Sequence, residues 1–249
     1  MSKTFIISAT ILILGFVLIV ARVVFFRSKP VNDFSWQNPF QKEKEIILPQ
    51  PRYQSEISIE EALLKRRSVR EYKEKPLSLQ EISQLLWAAQ GITDPQTGKR
   101  TAPSAGALYP LKVYLTGKIE GLTIGMYQYN PHNHSLIKVR DKDLRKELMV
   151  AAYDQPWIEK APVNIIFTGN YQIIAQKYGK EKAPRYTHME VGHVAQNVYL
   201  QAQSLGLGTV VVGGFEIERV KKVLALPLEE EPLYIMPVGK LPWVEKQKN

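Results

Sequence analysis

The sequence contains no cysteine. That absence excludes thiol catalysis, disulfides, thiolate metal sites and lipoprotein attachment, and it leaves the redox compartment open. A Walker phosphate loop is also missing, and so is the dinucleotide fingerprint. Gly206-Leu207-Gly208 comes nearest to the fingerprint, but it continues as Thr209-Val210-Val211 without the third glycine and opens a strand. No zinc-finger spacing and no heptad-coupled basic region occurs, so specific nucleic-acid recognition has no motif to carry it. Histidines are few, at 4. His132 and His134 have no further ligand nearby and read as polarity at a hairpin tip, while His188 and His193 lie off one helical face, so no metal site is expected. No internal repeat is visible. Acidic residues are outnumbered, 24 against 33 basic ones, for a formal charge of +9. Such a balance suits an anionic partner: nucleic acid, a membrane surface or an anionic cofactor.

What is present fits one large domain behind an N-terminal arm. The 249 residues are 45% apolar and 23% charged, enough for a sizeable core. Phe5 to Phe26 is apolar apart from Ser8, Thr10 and Arg22, the length that crosses a hydrocarbon layer of about 30 Å. Bulky Val23 to Phe26 stand where a signal-peptide cleavage site would need small residues, which favours a retained membrane anchor. Arg22, Arg27 and Lys29 follow the span, and the positive-inside rule then puts the remainder on the cytoplasmic side. Asp33 to Pro51, with three prolines, reads as a tether. The division is residues 1–28 as anchor, 29–55 as tether and 56–249 as the folded domain.

Within that domain, Ser58-Ile59-Glu60-Glu61 and Ser78-Leu79-Gln80-Glu81 are capping-box patterns that each start a helix. Gly125–Tyr129 and Leu136–Val139 read as a hairpin, Asp141–Ala152 as a helix, and Pro162–Thr168 as a buried strand. Tyr171–Tyr178 is a short helix leading into a lysine-rich loop. Arg185–Leu205 carries the longest helical repeat, through Val191, Val194, Ala195, Val198, Ala202 and Leu205, and belongs at the centre of the fold or at a subunit contact. Thr209–Val212 and Glu231–Val238 complete the strands, with a helix over Ile217–Ala225 between them.

Two stretches stand out from this regular background. In Arg100-Thr101-Ala102-Pro103-Ser104-Ala105-Gly106-Ala107-Leu108-Tyr109-Pro110, two prolines bracket small residues. Its backbone is free to approach a flat ligand closely, and the strand Leu111–Thr116 anchors it; a plain connecting loop is the other reading. Upstream, Arg66-Arg67-Ser68-Val69-Arg70 leaves the C-terminal end of a helix. The helix dipole does not favour an anion there, so the guanidinium groups themselves must hold one. Otherwise the arginines form a solvated patch complementing that dipole.

Together with Leu205-Gly206-Leu207-Gly208, followed four residues later by Gly213-Gly214-Phe215, these stretches resemble the FMN-dependent nitroreductase superfamily. The loop wording is most similar to its SagB-type, azoline-oxidising dehydrogenase branch, and the resemblance runs from about Ser58 to Gly239. It implies an α+β fold, a mixed sheet flanked by helices, working as a homodimer with FMN at the subunit interface. It places Arg66, Arg67 and Ser68 at the phosphate and Arg70 near flavin N1 and the C2 carbonyl. Pro103, Ser104, Ala105 and Gly106 become the loop covering the flavin from the partner subunit, and Gly213 and Gly214 the turn beside flavin N5. Many nitroreductases carry a glutamate where this chain has Gly213, so a role for that carboxylate is lost here. Lys240 and Lys246 are further phosphate candidates, and Gln196-Asn197 fall in the family's Ala-Gln-Asn stretch. Lys177 and Tyr178 match the branch's proton-transfer pair; a lysine acts as a base near neutrality only where burial or neighbouring charge lowers its pKa. A surface lysine in a lysine-rich stretch is the competing reading.

The expectation is an FMN-dependent oxidoreductase acting on a small-molecule or peptide substrate. A general nitro or quinone reductase using NAD(P)H, a flavin-binding module without turnover, and a basic scaffold on anionic lipid are the alternatives.

Overall fold

A computed structural model describes residues 45–242. The expected anchor and Lys246 lie outside the described residues, among which no helix is long and apolar enough to cross a membrane.

Seven strands form one sheet in the order β1-β6-β5-β4-β7-β9-β8. They are β1 (Ile46–Ile47), β4 (Leu111–Gly117), β5 (Gly125–Asn130), β6 (Ser135–Arg140), β7 (Val163–Gly169), β8 (Leu207–Thr209) and β9 (Glu231–Lys240). A small hairpin, β2 (Ile92–Asp94) and β3 (Lys99–Arg100), stands apart. All pairings between these strands are antiparallel; the parallel component of the mixed sheet is the bridge from Ser68 to Thr209, with a second from Leu77 to Ile119. The helices are α1 (Ile59–Lys65), α2 (Leu79–Gln90), α3 (Arg145–Ala151), α4 (Pro156–Lys160), α5 (Tyr171–Tyr178), α6 (Ala183–Ser204) and α7 (Ile217–Leu224).

The central strands are buried on both faces, and their alternation decides which helices each face meets. Val163, Ile165 and Phe167 of β7 join Leu111, Val113 and Leu115 of β4 on the face covered by α2 and α6. Tyr114 and Ile166 point the other way, into the cluster built with α3, α4 and α7. The repeat Val191, Val194, Ala195, Val198 and Ala202 is the buried stripe of α6. Sheet and helices therefore form three layers, and α6 runs the length of one of them.

The structure departs from the sequence expectations at four places. Residues 45–52, read as tether, are part of the domain: β1 pairs with β6, and Glu45 accepts from Asn130 at 3.0 Å and from Ser135. Ser83 Oγ donates to Pro49 O at 2.5 Å, and His134 is held between Ser83 and Tyr129 at 2.8 and 2.9 Å. The first capping box closes only halfway, because Glu61 pairs with Lys65 at 2.5 Å instead of turning back to Ser58. The helix expected from Asp141 starts at Arg145, since the Asp143 carboxylate takes the Arg145 N–H at 3.2 Å in a local turn. Finally, β8 ends at Thr209; Val211 N–H leaves the ladder, and Val212 rejoins it through a single bridge to Ile235.

Candidate flavin site

Beyond α1 the chain runs extended alongside β8, with Val69 N donating to Thr209 O at 2.9 Å. Alternation buries Val69 and turns Ser68 and Arg70 outward. Such close approach needs glycine at 208, where a Cβ would stand 2.6 Å from Val69 Cγ1. The arginines then differ in what they do. Arg66 lies over the Tyr199 ring, 5.0 Å from its centre. Arg67 donates to Leu64 O at 3.0 Å and to Arg66 O at 2.7 Å, so it caps the end of α1, as the dipole reading anticipates. Arg70 lies 5.2 Å from the Trp157 ring centre. Among the described residues no carboxylate forms an ion pair with any of the three.

Tyr199 ties this segment to the glycine turn. Its hydroxyl accepts Val211 N–H at 2.8 Å and lies 3.2 Å from Ser68 Oγ. With the oxygen accepting from Val211, the phenolic proton can go to Ser68, which leaves the serine proton for an outside acceptor. Two residues beyond Val211, Gly213 and Gly214 are exposed. Gly214 O accepts from Gln155 Nε2 at 2.8 Å, and Gln155 adjoins α4, which carries Trp157. Arg66, Ser68, Arg70, Gly213 and Gly214 thus share one surface. Tyr199, Gln155 and Trp157, which the sequence reading did not single out, hold it together. Lys240 lies 3.3 Å from the Glu81 carboxylate at the start of α2.

A second group forms around the small-residue loop. Ser104 Oγ accepts Tyr109 N–H at 2.9 Å, and Ala105–Ala107 makes one tight turn. Gly106 has φ +62°, and a Cβ there would lie 2.9 Å from both Lys177 Nζ and Tyr178 Oη. The loop therefore meets the Lys–Tyr pair directly, although some seventy residues separate them in sequence. Tyr178 is fixed by an edge contact with Tyr186 of α6, ring centres 5.1 Å apart. Pro103 is exposed, and Ser104 and Ala105 are half-buried.

The two groups sit toward opposite ends of α6. Tyr186 and Tyr199 mark their positions, thirteen residues or roughly 20 Å apart along the axis. A charged cleft of about 120 Å³ among Glu74, Lys75, Lys118, Arg145, Glu159, Lys160 and Pro162 includes none of these residues, and is smaller than small-molecule sites usually are.

Residues 63–240 match the sequence pattern of the Nitroreductase family. The chain belongs to the nitroreductase family. MJ1384 of Methanocaldococcus jannaschii, a protein assigned by name to the nitroreductases, is 48% identical over 186 residues, covering 74% of this chain and 92% of that protein. An FMN reductase (NADPH) of Bacillus subtilis is 31% identical over 119 residues, 43% of this chain and 48% of its own length. The microcin B17-processing protein McbC of Escherichia coli is 28% identical over 158 residues, covering 60% and 57%. Among solved structures, a nitroreductase-type protein of Ralstonia eutropha superposes with a TM-score of 0.72 at 31% identity, over 81% of this chain and 91% of that one. The nitroreductase fold thus supplies the frame in which the two groups of residues are to be understood.

Proposed function

We propose that this nitroreductase-family protein oxidises a substrate held beside Lys177 and Tyr178, in the manner of the SagB-type, azoline-oxidising branch. The chain is an FMN-dependent oxidoreductase. Its residues suit the cofactor on two counts: guanidinium groups that meet no carboxylate among the described residues, with an outward serine hydroxyl for a phosphate, and an exposed glycine pair where a flat ring can approach the backbone. Arg66 and Ser68 would hold the phosphate, Arg70 the pyrimidine edge, and Gly213 and Gly214 the N5 side. Arg67, busy at the end of α1, contributes less. FMN, when bound, supplies the two-electron acceptor.

The observation that carries the substrate side is the closeness of Gly106 to Lys177 Nζ and Tyr178 Oη. Removing hydride from a substrate leaves a proton to be taken up, and the lysine and tyrosine offer a base and a relay at the edge of the loop. A homodimer belongs to this reading, with the Pro103–Gly106 loop of one protomer facing the arginine surface of its partner. The exposed α6 face of Met189, Gly192, His193 and Gln196 supports such a contact. The apolar arm at Phe5–Phe26 is assigned as a membrane anchor with the domain on the cytoplasmic side; recovery of the full chain in the supernatant after alkaline extraction of membranes would refute it.

Stopped-flow bleaching of the flavin band tests the substrate role, after a panel of azoline peptides and small nitro compounds has identified a substrate. Lys177→Ala and Tyr178→Phe should slow reduction by substrate by about 10²–10⁴-fold and leave chemical reduction unchanged. Rates equal to wild type with every active substrate would return the protein to the general NAD(P)H-dependent reductases.

A further inference from the structure

Two buried carboxylates in this fold are treated in opposite ways. Glu230, 1% exposed, receives Tyr114 Oη at 2.9 Å, Thr168 Oγ1 at 3.0 Å and the Lys112 ammonium. Glu190 on α6 is 2% exposed, and neither of its oxygens has a hydrogen-bond partner among the described residues. A carboxylate so placed is costly unless donors can reach it.

Donors stand close by. Gln90 Nε2 at the end of α2 and Arg100 Nε at the end of β3 are also buried and have no hydrogen-bond partner among the described residues. They belong to one assembly, because Arg100 donates to Gln90 Oε1 at 2.7 Å. Arg100 also lies over the Tyr109 ring at 4.4 Å, and its backbone N–H donates to Tyr109 Oη at 3.1 Å. Ser104 Oγ accepts from Tyr109 N–H, so the serine proton is free to be given away. Ser104, Arg100 and Gln90 all lie near enough to favour the ionised form of Glu190, although none completes a hydrogen bond to it. Behind Arg100 stand Tyr129 of β5 and His132 of the following turn. On α5, Lys177 and Tyr178 reach the same loop at Gly106.

We propose that Glu190 is a positioning residue whose charge sets how the Pro103–Gly106 loop sits against Lys177 and Tyr178. Protonated, it lies uncharged in its buried place and the loop stays seated on α6. Ionised, it gives its proton to solvent, and the charge left behind must be met by the Ser104 hydroxyl, the Gln90 amide, the Arg100 Nε–H or water, so the loop shifts. Burial pushes the Glu190 carboxyl up to about 7 against the opposing pull of Ser104, Arg100 and Gln90, so the change falls near neutrality. The consequence for catalysis rests on the flavin reading above; the loop movement does not.

Amide hydrogen exchange of residues 101–110 in the full chain, corrected for the intrinsic pH dependence and referenced to β7, reads the loop directly. Protection should fall about tenfold between about pH 5.5 and about pH 8.5 in wild type, since a pKa one unit higher with the loop seated equals a tenfold change in the loop equilibrium. Glu190→Gln should abolish the step, and Glu190→Asp should retain one. A wild-type loop whose protection ignores pH or rises with it, or a Glu190→Gln loop that follows pH as wild type does, would overturn the proposal. FMN binding, followed in parallel by flavin fluorescence, tests the other reading separately: a protein that shows the step and binds no FMN keeps the switch and loses the flavin assignment.

Discussion

Replacing Tyr199 by phenylalanine removes one hydroxyl and leaves the ring on which Arg66 rests. Two contacts are lost, the 2.8 Å bond from Val211 N–H and the 3.2 Å contact with Ser68. A half-buried donor left without its acceptor costs about 1–3 kcal/mol, and water recovers part of that here, so the loss of stability should be about 1–2 kcal/mol. FMN should bind about 3- to 10-fold more weakly, the equivalent of one neutral hydrogen bond, because Ser68 is no longer oriented. Tyr199→Leu removes the ring as well; a cation–π contact at an exposed site contributes about 0.5–1 kcal/mol, which adds roughly a further two- to fivefold. Urea denaturation and flavin-fluorescence titration on the same samples separate the two effects. A Tyr199→Phe protein that is destabilised yet binds FMN as wild type does would show that Tyr199 only braces β8, and the proposed link from Val211 through Ser68 to the phosphate would fail.

The arginines should divide. Arg66→Ala should lower FMN affinity roughly 10- to 100-fold, the equivalent of a charge-assisted bond, while Arg67→Ala should mainly loosen the end of α1; equal losses in titration would contradict the capping role of Arg67. Gly106→Ala puts a Cβ 2.9 Å from Lys177 Nζ and Tyr178 Oη, and should slow substrate-dependent reduction by about 10- to 100-fold through displacement of the pair; an unchanged rate would remove the loop from the reaction. Acid should loosen the clasp at residues 45–52. Burial holds His134 below its usual imidazole range, so its contribution to stability is complete above about pH 6.5 and declines as the pH falls toward the folded pKa. His134→Asn, which tolerates the φ of +47°, should show a smaller drop in melting temperature between about pH 7.5 and about pH 5, and an undiminished drop would place the acid sensitivity elsewhere.

Regular elements were the most legible part of this sequence. The second capping box forms in full, with Ser78 and Glu81 satisfying each other, and Tyr171–Tyr178 is helical over the expected range. The spacing of Val191, Val194, Ala195 and Val198 marked both the length of α6 and its buried face. Legibility ended where one segment is completed by another far away in the chain. Ser68 and Tyr199 are 131 residues apart, and nothing local to Val198-Tyr199-Leu200 shows that its hydroxyl will meet a strand end and a serine at once. Similarly, Glu45–Arg52 has the proline content of a linker, but its polar groups find partners on the β5–β6 hairpin and α2. Nothing local to Met189-Glu190-Val191 marks this glutamate as buried, because only the packing of α2, β3 and the loop against α6 makes it so. The arginine pattern alone leaves an anion clamp and a dipole-complementing patch side by side, and the structure divides it: the end of α1 claims Arg67, while Arg66 and Arg70 rest on the Tyr199 and Trp157 rings.

The central claim is that this chain performs flavin chemistry, and the visible spectrum of the purified full-length protein through one redox cycle tests it most directly. The account predicts a flavin band that is retained through gel filtration or restored by added FMN. That band should bleach on photoreduction and return when an electron acceptor is added. A protein that is folded and colourless, and that takes up no FMN, would contradict it.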